Sequence, residues 1–550
     1  MFYNIGVSEE FLTVLISGVY KTQRSNMLNI IPQTKSYKLY GGDVAMERQP
    51  KIVCCEGAEF CDPMARKLFQ NICPAIKPDF ENEKVTVSFL KDPALPDEGY
   101  RIDVNGDSIT VEARGAKGWT YALITLRQIM KADDEGKPFM LSCPCCHIED
   151  APRFAYRGLM LDEARNFLGE DVVKRVINLM SFYKLNVLHW HLSDDQGYRI
   201  ESKLYPQLNR IASVRNDTQV GGFSSTKFAG CKHEGFYSQS QIKHIIAFAA
   251  ERNIDVQPEI DLPGHISALT AAFPDISCSG ESHSVPTTFG NFSGAFCPGS
   301  EKAWETVYSL LDEVCSVFES KYIHIGGDPF DFSDWKTCPA CKKFMQENNL
   351  SDERALFTFT LNKIIDHLDK KGKIAIVRTS DFLNGIDKRA VLHLFKQVPQ
   401  ETIDKFVSEG RKFIVSPHQL CSFDHPYVMS PIKPLYAMEP LHYLGKNASD
   451  ENVLGVEGLL WGEWIYDLLK VEFNCLPRLC ALSETGWSPK DAKDFAKFTK
   501  HWQANRRILD LVNANWACDK LAKGGFIFKN RDIFIWKTAD QYGEVRKNKK

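Results

Sequence analysis

From Tyr156 onward, short apolar runs alternate with longer stretches of helical periodicity, and this rhythm predicts the architecture. The run from Arg157 to Asp162 reads as a strand, and a helix follows near Asp171 to Tyr183. Leu185 to Leu192 is a second strand, ending in Ser193-Asp194-Asp195, and Ser238 to Arg252 is helical. Ile254 to Ile260 is a third strand, ending in Asp261-Leu-Pro-Gly-His265, and residues 301–318 are helical. The fourth strand is Tyr322 to Ile325, where Gly326-Gly327 lets the backbone turn and Asp328 stands just past the end. Lys373 to Val377, Ala390 to Leu394, Lys412 to Val415 and Leu454 to Leu460 complete a set of eight. Eight strands alternating with helices over roughly 320 residues predict an α/β protein of the (β/α)8 TIM-barrel class. No glycine-rich dinucleotide fingerprint opens the first strand–helix turn, which weighs against an open doubly wound sheet.

The pattern before Tyr156 is different. Val85 to Phe89, Tyr100 to Val104 and Ser108 to Glu112 read as strands, and Gly115 to Met130 as a helix with Ala122, Leu123, Leu126 and Ile129 on one face. This is a small α+β domain. Cys143 to Pro152 reads as a linker. The expected organisation is an N-terminal extension over 1–28, an α+β domain over 29–150, the barrel over 151–515 and a tail over 516–550. A long helix is expected at about Asp491 to Val512, and the charged end Arg546 to Lys550 reads as solvated.

Composition narrows the function without naming it. A formal charge of −3, with Lys and Arg spread along the chain, leaves no footprint for nucleic acid or an acidic membrane. No run approaches the roughly 18–20 apolar residues of a membrane span. Phe11 to Val19 is apolar enough for a signal core, yet Glu9 and Glu10 precede it, so no clear signal peptide is expected. Sequons stand at Asn216, Asn291 and Asn447. Seventeen cysteines are scattered, and Cys338-Pro-Ala-Cys341 has zinc or redox spacing. With no second CxxC or HxxxH beside it, a turn or a local disulfide is the expectation there. No metal and no cofactor are expected. His189 and His191, two apart on one strand, are expected to pack inside the barrel.

In a (β/α)8 barrel, residues at the C-terminal strand ends share one pocket. Here they are Asp162, Asp194, Asp195, Glu259, Asp261, His265, Asp328, Trp461 and Glu463. Carboxylates that accept hydroxyl hydrogen bonds, with an indole to cover a ring face, suit a neutral polyol such as a sugar. One Asp at a strand end is often a helix cap; nine such groups together are not explained that way.

The motifs Tyr156-Arg157-Gly-Leu-Met-Leu-Asp162, Leu188-His-Trp-His-Leu-Ser-Asp194-Asp195-Gln, Pro258-Glu-Ile-Asp-Leu-Pro-Gly-His265, His324-Ile-Gly-Gly-Asp328 and Leu460-Trp461-Gly-Glu463 resemble the β-N-acetylhexosaminidases of glycoside hydrolase family 20. The resemblance covers about residues 28 to 515. It implies retaining hydrolysis of terminal β-linked GlcNAc or GalNAc, in which the substrate's own acetamido oxygen attacks the anomeric carbon. Asp328 is then the residue that polarises the acetamide. Arg157, Asp194, Trp461 and Glu463 hold the sugar, and His265 supports the site. The implied partner is an N-acetylhexosamine glycan, with a homodimer or a pairing with an active relative as the implied assembly. The implied location is lysosomal or extracellular.

Four positions depart from the family. Its catalytic acid, a Glu directly after the Asp, is Pro329, which has no proton to give. Its acetamide-binding tyrosine aligns with Ser422, and two of its tryptophans align with Arg378 and Phe395. The resemblance therefore implies a site whose hydrolysis is impaired or lost. The alternative is an active exo-enzyme that borrows another acid, for which Asp331 and Asp334 are nearest in sequence.

Overall fold

The computed structural model describes residues 27–522 apart from 79–83, 133–139, 291, 293 and 381. The expectations for the extension and Phe11 to Val19, for Asn291 and for the charged tail lie outside these residues. The described residues divide into two compact units, one within 27–30 and 34–151, the other within 31–33 and 152–522.

In the first unit, strands β1 (Ser36–Met46), β2 (Lys51–Cys54), β3 (Thr86–Lys91), β4 (Tyr100–Asn105), β5 (Ser108–Ala113) and β6 (Leu141–Asp150) form a mixed sheet in the order β1-β6-β4-β5-β3-β2. Helices α1 (Cys61–Ile72) and α2 (Ala116–Ile129) pack on it. Helix α2 buries Trp119, whose indole N–H donates to the Leu90 carbonyl at 3.0 Å. β6 corrects the linker expected at Cys143 to Pro152. Its residues alternate between buried and half-buried, as a strand with one covered face does. The sequence Cys143-Pro-Cys-Cys hid it, because proline cannot donate to a ladder. Pro144 pairs with Asp43, at the irregularity between Leu39 and Asp43 where β1 shifts register.

In the second unit, β7 (Tyr156–Asp162), β8 (Val187–Asp194), β9 (Asp255–Leu262), β10 (Tyr322–Gly326), β11 (Ile374–Arg378), β12 (Val391–Leu394), β13 (Phe413–Val415) and β14 (Val453–Leu460) pair in parallel, each with the next. β14 pairs back onto β7 from Gly455–Tyr156 to Leu460–Leu161, so the barrel closes. Outward-facing Leu159, Leu188, Trp190, Ile323, Val377 and Leu392 are buried in the main hydrophobic cluster, which the surrounding helices share. Each such side chain contributes about 1.5–3 kcal/mol by leaving water. Helices α3 (Glu170–Phe182), α4 (Gln239–Ala250), α5 (Glu301–Val317), α6 (Glu353–Lys370) and α7 (Gln400–Ser408) alternate with the strands. α8 (Arg478–Trp487), buried throughout, precedes α9 (Phe495–Leu511). α9 is the helix expected at about Asp491 to Val512, and α8 is one that the sequence reading did not include.

The barrel interior is layered. Val187, Ile376, Val391 and Ile414 fill the lower end. Above them lies a polar layer of His189, Gln257, Glu259, His324, Arg378, His393 and Glu457, every one at most 1% exposed. Barrel interiors are ordinarily filled by branched apolar side chains, so this layer needs internal charge pairing. His189 supplies much of it, with Nδ1 2.9 Å from Glu457 and Nε2 3.0 Å from Glu259. His324 stacks on His189 at 4.5 Å and lies 3.1 Å from His393.

Candidate functional site at the C-terminal mouth of the barrel

The turn that ends β10 needs both its glycines. Gly326 and Gly327 have φ of +66° and +84°. A Cβ at Gly326 would lie 1.6 Å from the Asp261 carboxylate, and one at Gly327 would lie 2.8 Å from Val377. The turn presents Asp328 at the mouth, 9% exposed, and Pro329 follows half-buried.

Arg378, the last residue of β11, determines the electrostatics here. Its guanidinium spans the Glu259 carboxylate at 2.6 and 2.8 Å, donates to Asp328 at 3.2 Å and lies 3.5 Å from Asp261. These three carboxylates engage Arg378, so it is not open to an anionic ligand. Largely exposed Lys396 lies 3.4 Å from the other Asp328 oxygen. Burial alone would raise the Asp328 carboxyl, but Arg378 and Lys396 hold it down at about 2. Asp261 goes the other way. Burial pushes it up to about 8, with Glu259 and Asp328 adding to the rise against the pull of His265 and Arg378.

A second cluster centres on Arg165, which sequence reasoning missed. Its guanidinium binds Asp194 at 2.7 Å and Asp162 at 3.1 Å and lies 5.2 Å from the centre of the Trp461 ring. His191 links the two clusters, in short contact with Glu259 and 2.9 Å from Asp194. Burial would lower His191, but Glu259, Asp162 and Asp194 raise it to about 10. His265 lies 3.1 Å from Asp195 and 3.5 Å from Asp194, and this contact raises it well above the ordinary imidazole range. Half-buried Trp461 also meets His191 and Phe395, each at 5.7 Å between ring centres. Asp162 accepts the Gly462 N–H at 2.9 Å, which ties the loop carrying Trp461 and Glu463 to β7. Glu463 is half-buried and raised, first by burial, with Arg165 opposing and Asp162 adding.

The structure thus brings Asp194, His265, Asp328 and Trp461 into one linked mouth, and Glu463 adjoins it. Arg157 is not there. Its side chain donates to the carbonyls of Phe154 at 2.7 Å and Lys184 at 2.9 Å and stacks 5.0 Å from the Trp487 ring. The cause is its place near the start of β7, so it serves the opposite end of the barrel. Arg165, three residues past the end of the same strand, reaches the mouth instead. The strand-end rule applied to that motif would have found it.

The other departures also have defined surroundings. Ser422 is buried, with its hydroxyl 2.9 Å from His418, too short to reach the mouth as a tyrosine would. Phe395 packs with Met160, Leu459 and Trp461 as an apolar patch. Asp331 is exposed and accepts from the Ser333 N–H and hydroxyl at 3.0 Å each, so it turns onto its own helix start. Asp334 is half-buried and raised, first by burial and then by Asp331.

Comparison with known proteins gives concordant matches. The family model described as glycosyl hydrolase family 20, catalytic domain, matches residues 154–490, and that for domain 2 of the same family matches residues 27–151. The chain is 30% identical to a beta-hexosaminidase of Akkermansia muciniphila over 77% of its own length and 87% of that protein's. It is 30% identical to a beta-hexosaminidase of Porphyromonas gingivalis over 89% of its length, spanning 64% of that longer relative. Among solved structures, it superposes on the exo-beta-N-acetylglucosaminidase of Vibrio harveyi, determined with N-acetylglucosamine, with a TM-score of 0.79. That match has 27% identity and covers 89% of this chain and 78% of the other.

Proposed function

The chain belongs to glycosyl hydrolase family 20, and on that premise we propose that its barrel mouth binds a terminal β-linked N-acetylhexosamine while hydrolysis is impaired or lost. The observation that carries this reading is the pair Asp328-Pro329. The carboxylate that would orient the acetamide is kept, and the proton donor beside it is gone. Arg378 adds to the impairment, because it occupies one Asp328 oxygen that a bound acetamide N–H would need. The sugar-facing surface is better preserved. Trp461 offers a ring face, and Asp194 and Arg165 form a charged pair suited to hydroxyl groups. A homodimer, or assembly with an active relative, belongs to the same reading and is checked by light scattering.

The test pairs binding with turnover. Calorimetry is expected to show weak binding of N-acetylglucosamine, weakened further by Trp461→Ala. An activated aryl β-N-acetylglucosaminide is expected to turn over slowly at most, with Asp328→Asn as the control for contaminating enzyme. Absence of heat with GlcNAc and GalNAc at millimolar concentration would leave only a structural role.

One observation favours the alternative, an active enzyme with a substitute acid. Asp261, held at about 8 by burial, is a protonated acid at neutral pH and lies close to Arg378 and Asp328. If chitobiose is turned over briskly, Asp261→Asn is the variant expected to abolish it, ahead of Asp331→Asn.

A further inference from the structure

Four cysteines from two separate loops meet at one point. Cys278 and Cys297 belong to the segment after β9, and Cys338 and Cys341 to the segment after β10. Their sulfurs all lie within 4.8 Å of one another. The closest separations are 3.5 Å for Cys297–Cys341, 3.6 Å for Cys278–Cys341 and 3.7 Å for Cys297–Cys338. From this geometry we propose that the four thiolates form a structural zinc site that clamps the two loops together.

The distances decide between a metal and disulfides. With Zn–S bonds of about 2.3 Å, the edge of a tetrahedron of sulfurs is about 3.8 Å, which these separations approach. A disulfide brings two sulfurs to about 2.05 Å and gives each a single partner. Here Cys297 has both Cys338 and Cys341 as near neighbours, and Cys341 has both Cys278 and Cys297. The arrangement is one four-membered cluster. Four soft thiolates in a tetrahedral set select zinc over harder ions, and a closed set of four leaves no open position for catalysis.

The surroundings support the assignment. Cys297, Cys338 and Cys341 are buried and Cys278 is half-buried, so the centre is shielded from water. Cys338 is the N-cap and Cys341 lies in the first turn of the helix Pro339–Glu347, where the helix dipole favours thiolate. The Gly299 N–H donates to the Cys297 sulfur. The two loops already meet here, since the Trp335 indole donates to the Phe296 carbonyl at 3.0 Å. A Cβ at Gly299 would come within 2.3 Å of the Ala340 backbone. Sequence reading saw only the Cys338-x-x-Cys341 half and expected a turn or a local disulfide. Its partners stand 60 and 41 positions earlier (338 − 278 and 338 − 297), with unequal spacing that no local motif displays.

The experiment uses the full chain, purified without a metal-affinity tag and dialysed against EDTA. Elemental analysis is expected to give one zinc per chain, released when an organomercurial titrates the thiols. Replacement by Co(II) is expected to give the visible absorption of a tetrahedral thiolate site. Cys338→Ser and Cys341→Ser should each lose the zinc and lower the thermal midpoint. If those variants do not fold, the Co(II) spectrum of the unaltered chain decides. Substoichiometric zinc together with a mass reduced by the hydrogens of two disulfides would overturn the proposal. Full zinc retention in both variants would overturn it equally.

Discussion

On the proposed reading, Asp328, Pro329 and Arg378 bear on a single catalytic event, so their effects would not add. General acid catalysis contributes about 10²–10⁴ in rate, and Pro329→Glu is the direct way to return the missing acid. It does not free Asp328, whose Oδ2 stays with Arg378, nor does it supply the hydroxyl that Ser422 turns toward His418. Orientation of a near-attack geometry contributes several kcal/mol on its own. Pro329→Glu alone is therefore expected to restore little chitobiose turnover, and restoration is expected only with Arg378→Trp and Ser422→Tyr beside it. Arg378 also neutralises buried Glu259, and breaking a buried pair costs about 3–5 kcal/mol. The triple variant should therefore gain rate while its urea midpoint falls, and an unchanged midpoint would show that His189, His191 and His324 suffice for Glu259. The changes themselves were legible in the sequence, Pro329 because it directly follows the His324 to Asp328 motif, and Arg378 and Ser422 by alignment with the family pattern. That Arg378 would turn inward to Glu259 was not, since the pairing joins residues 119 positions apart.

Among the elements, β7 carries two arginines with opposite duties. Arg157 near its start is locked under Trp487, whereas Arg165 beyond its end faces Trp461 and Asp194. Arg165→Ala is expected to abolish measurable GlcNAc binding and to lower stability as well, because Asp162 and Asp194 lose their buried partner. Arg157→Ala should lower the thermal midpoint and leave the affinity of the folded protein unchanged; the reverse pattern would return the sugar contact to Arg157. Strand existence was readable from apolar runs, and so was the place of Arg157 at the start of its run, which the strand-end rule sets apart from the mouth. β6 escaped notice because turn-forming residues sit where the ladder is irregular. The linkage between β8 and β9 also has a pH signature. The His191 pKa is raised in the fold to about 10 from an ordinary 6.5. Its stabilising contribution is therefore fully present below about pH 6.5 and is lost as pH rises toward 10. The urea midpoint should fall across that window, and His191→Gln should flatten the fall.

For the whole molecule, the eightfold alternation was legible because each strand buries its outer face against a helix, which writes itself into hydrophobic periodicity. The polar interior and the four-cysteine cluster are contacts between distant segments, and no local pattern encodes them. That interior bears on function because Arg378 lies against the carboxylates beneath the mouth and holds Asp328 down. Asp328 at about 2 is ionised at every working pH, so an acetamide bound to it would still be polarised. Departure of the aglycone would then be the step left without help. A sugar leaves as a poorly stabilised alkoxide and depends on a donated proton, whereas a dinitrophenolate leaves as a stable anion and depends on it little. Chitobiose cleavage is therefore expected to be negligible, and the dinitrophenyl glycoside should be cleaved slowly, with no acidic limb above about pH 3, because Asp328 takes up a proton only near pH 2. Across a series of aryl glycosides the rate should fall steeply as the leaving group becomes more basic. A flat dependence, with chitobiose among the good substrates, would show that a proton is being delivered, and loss of that activity in Asp261→Asn would identify its source.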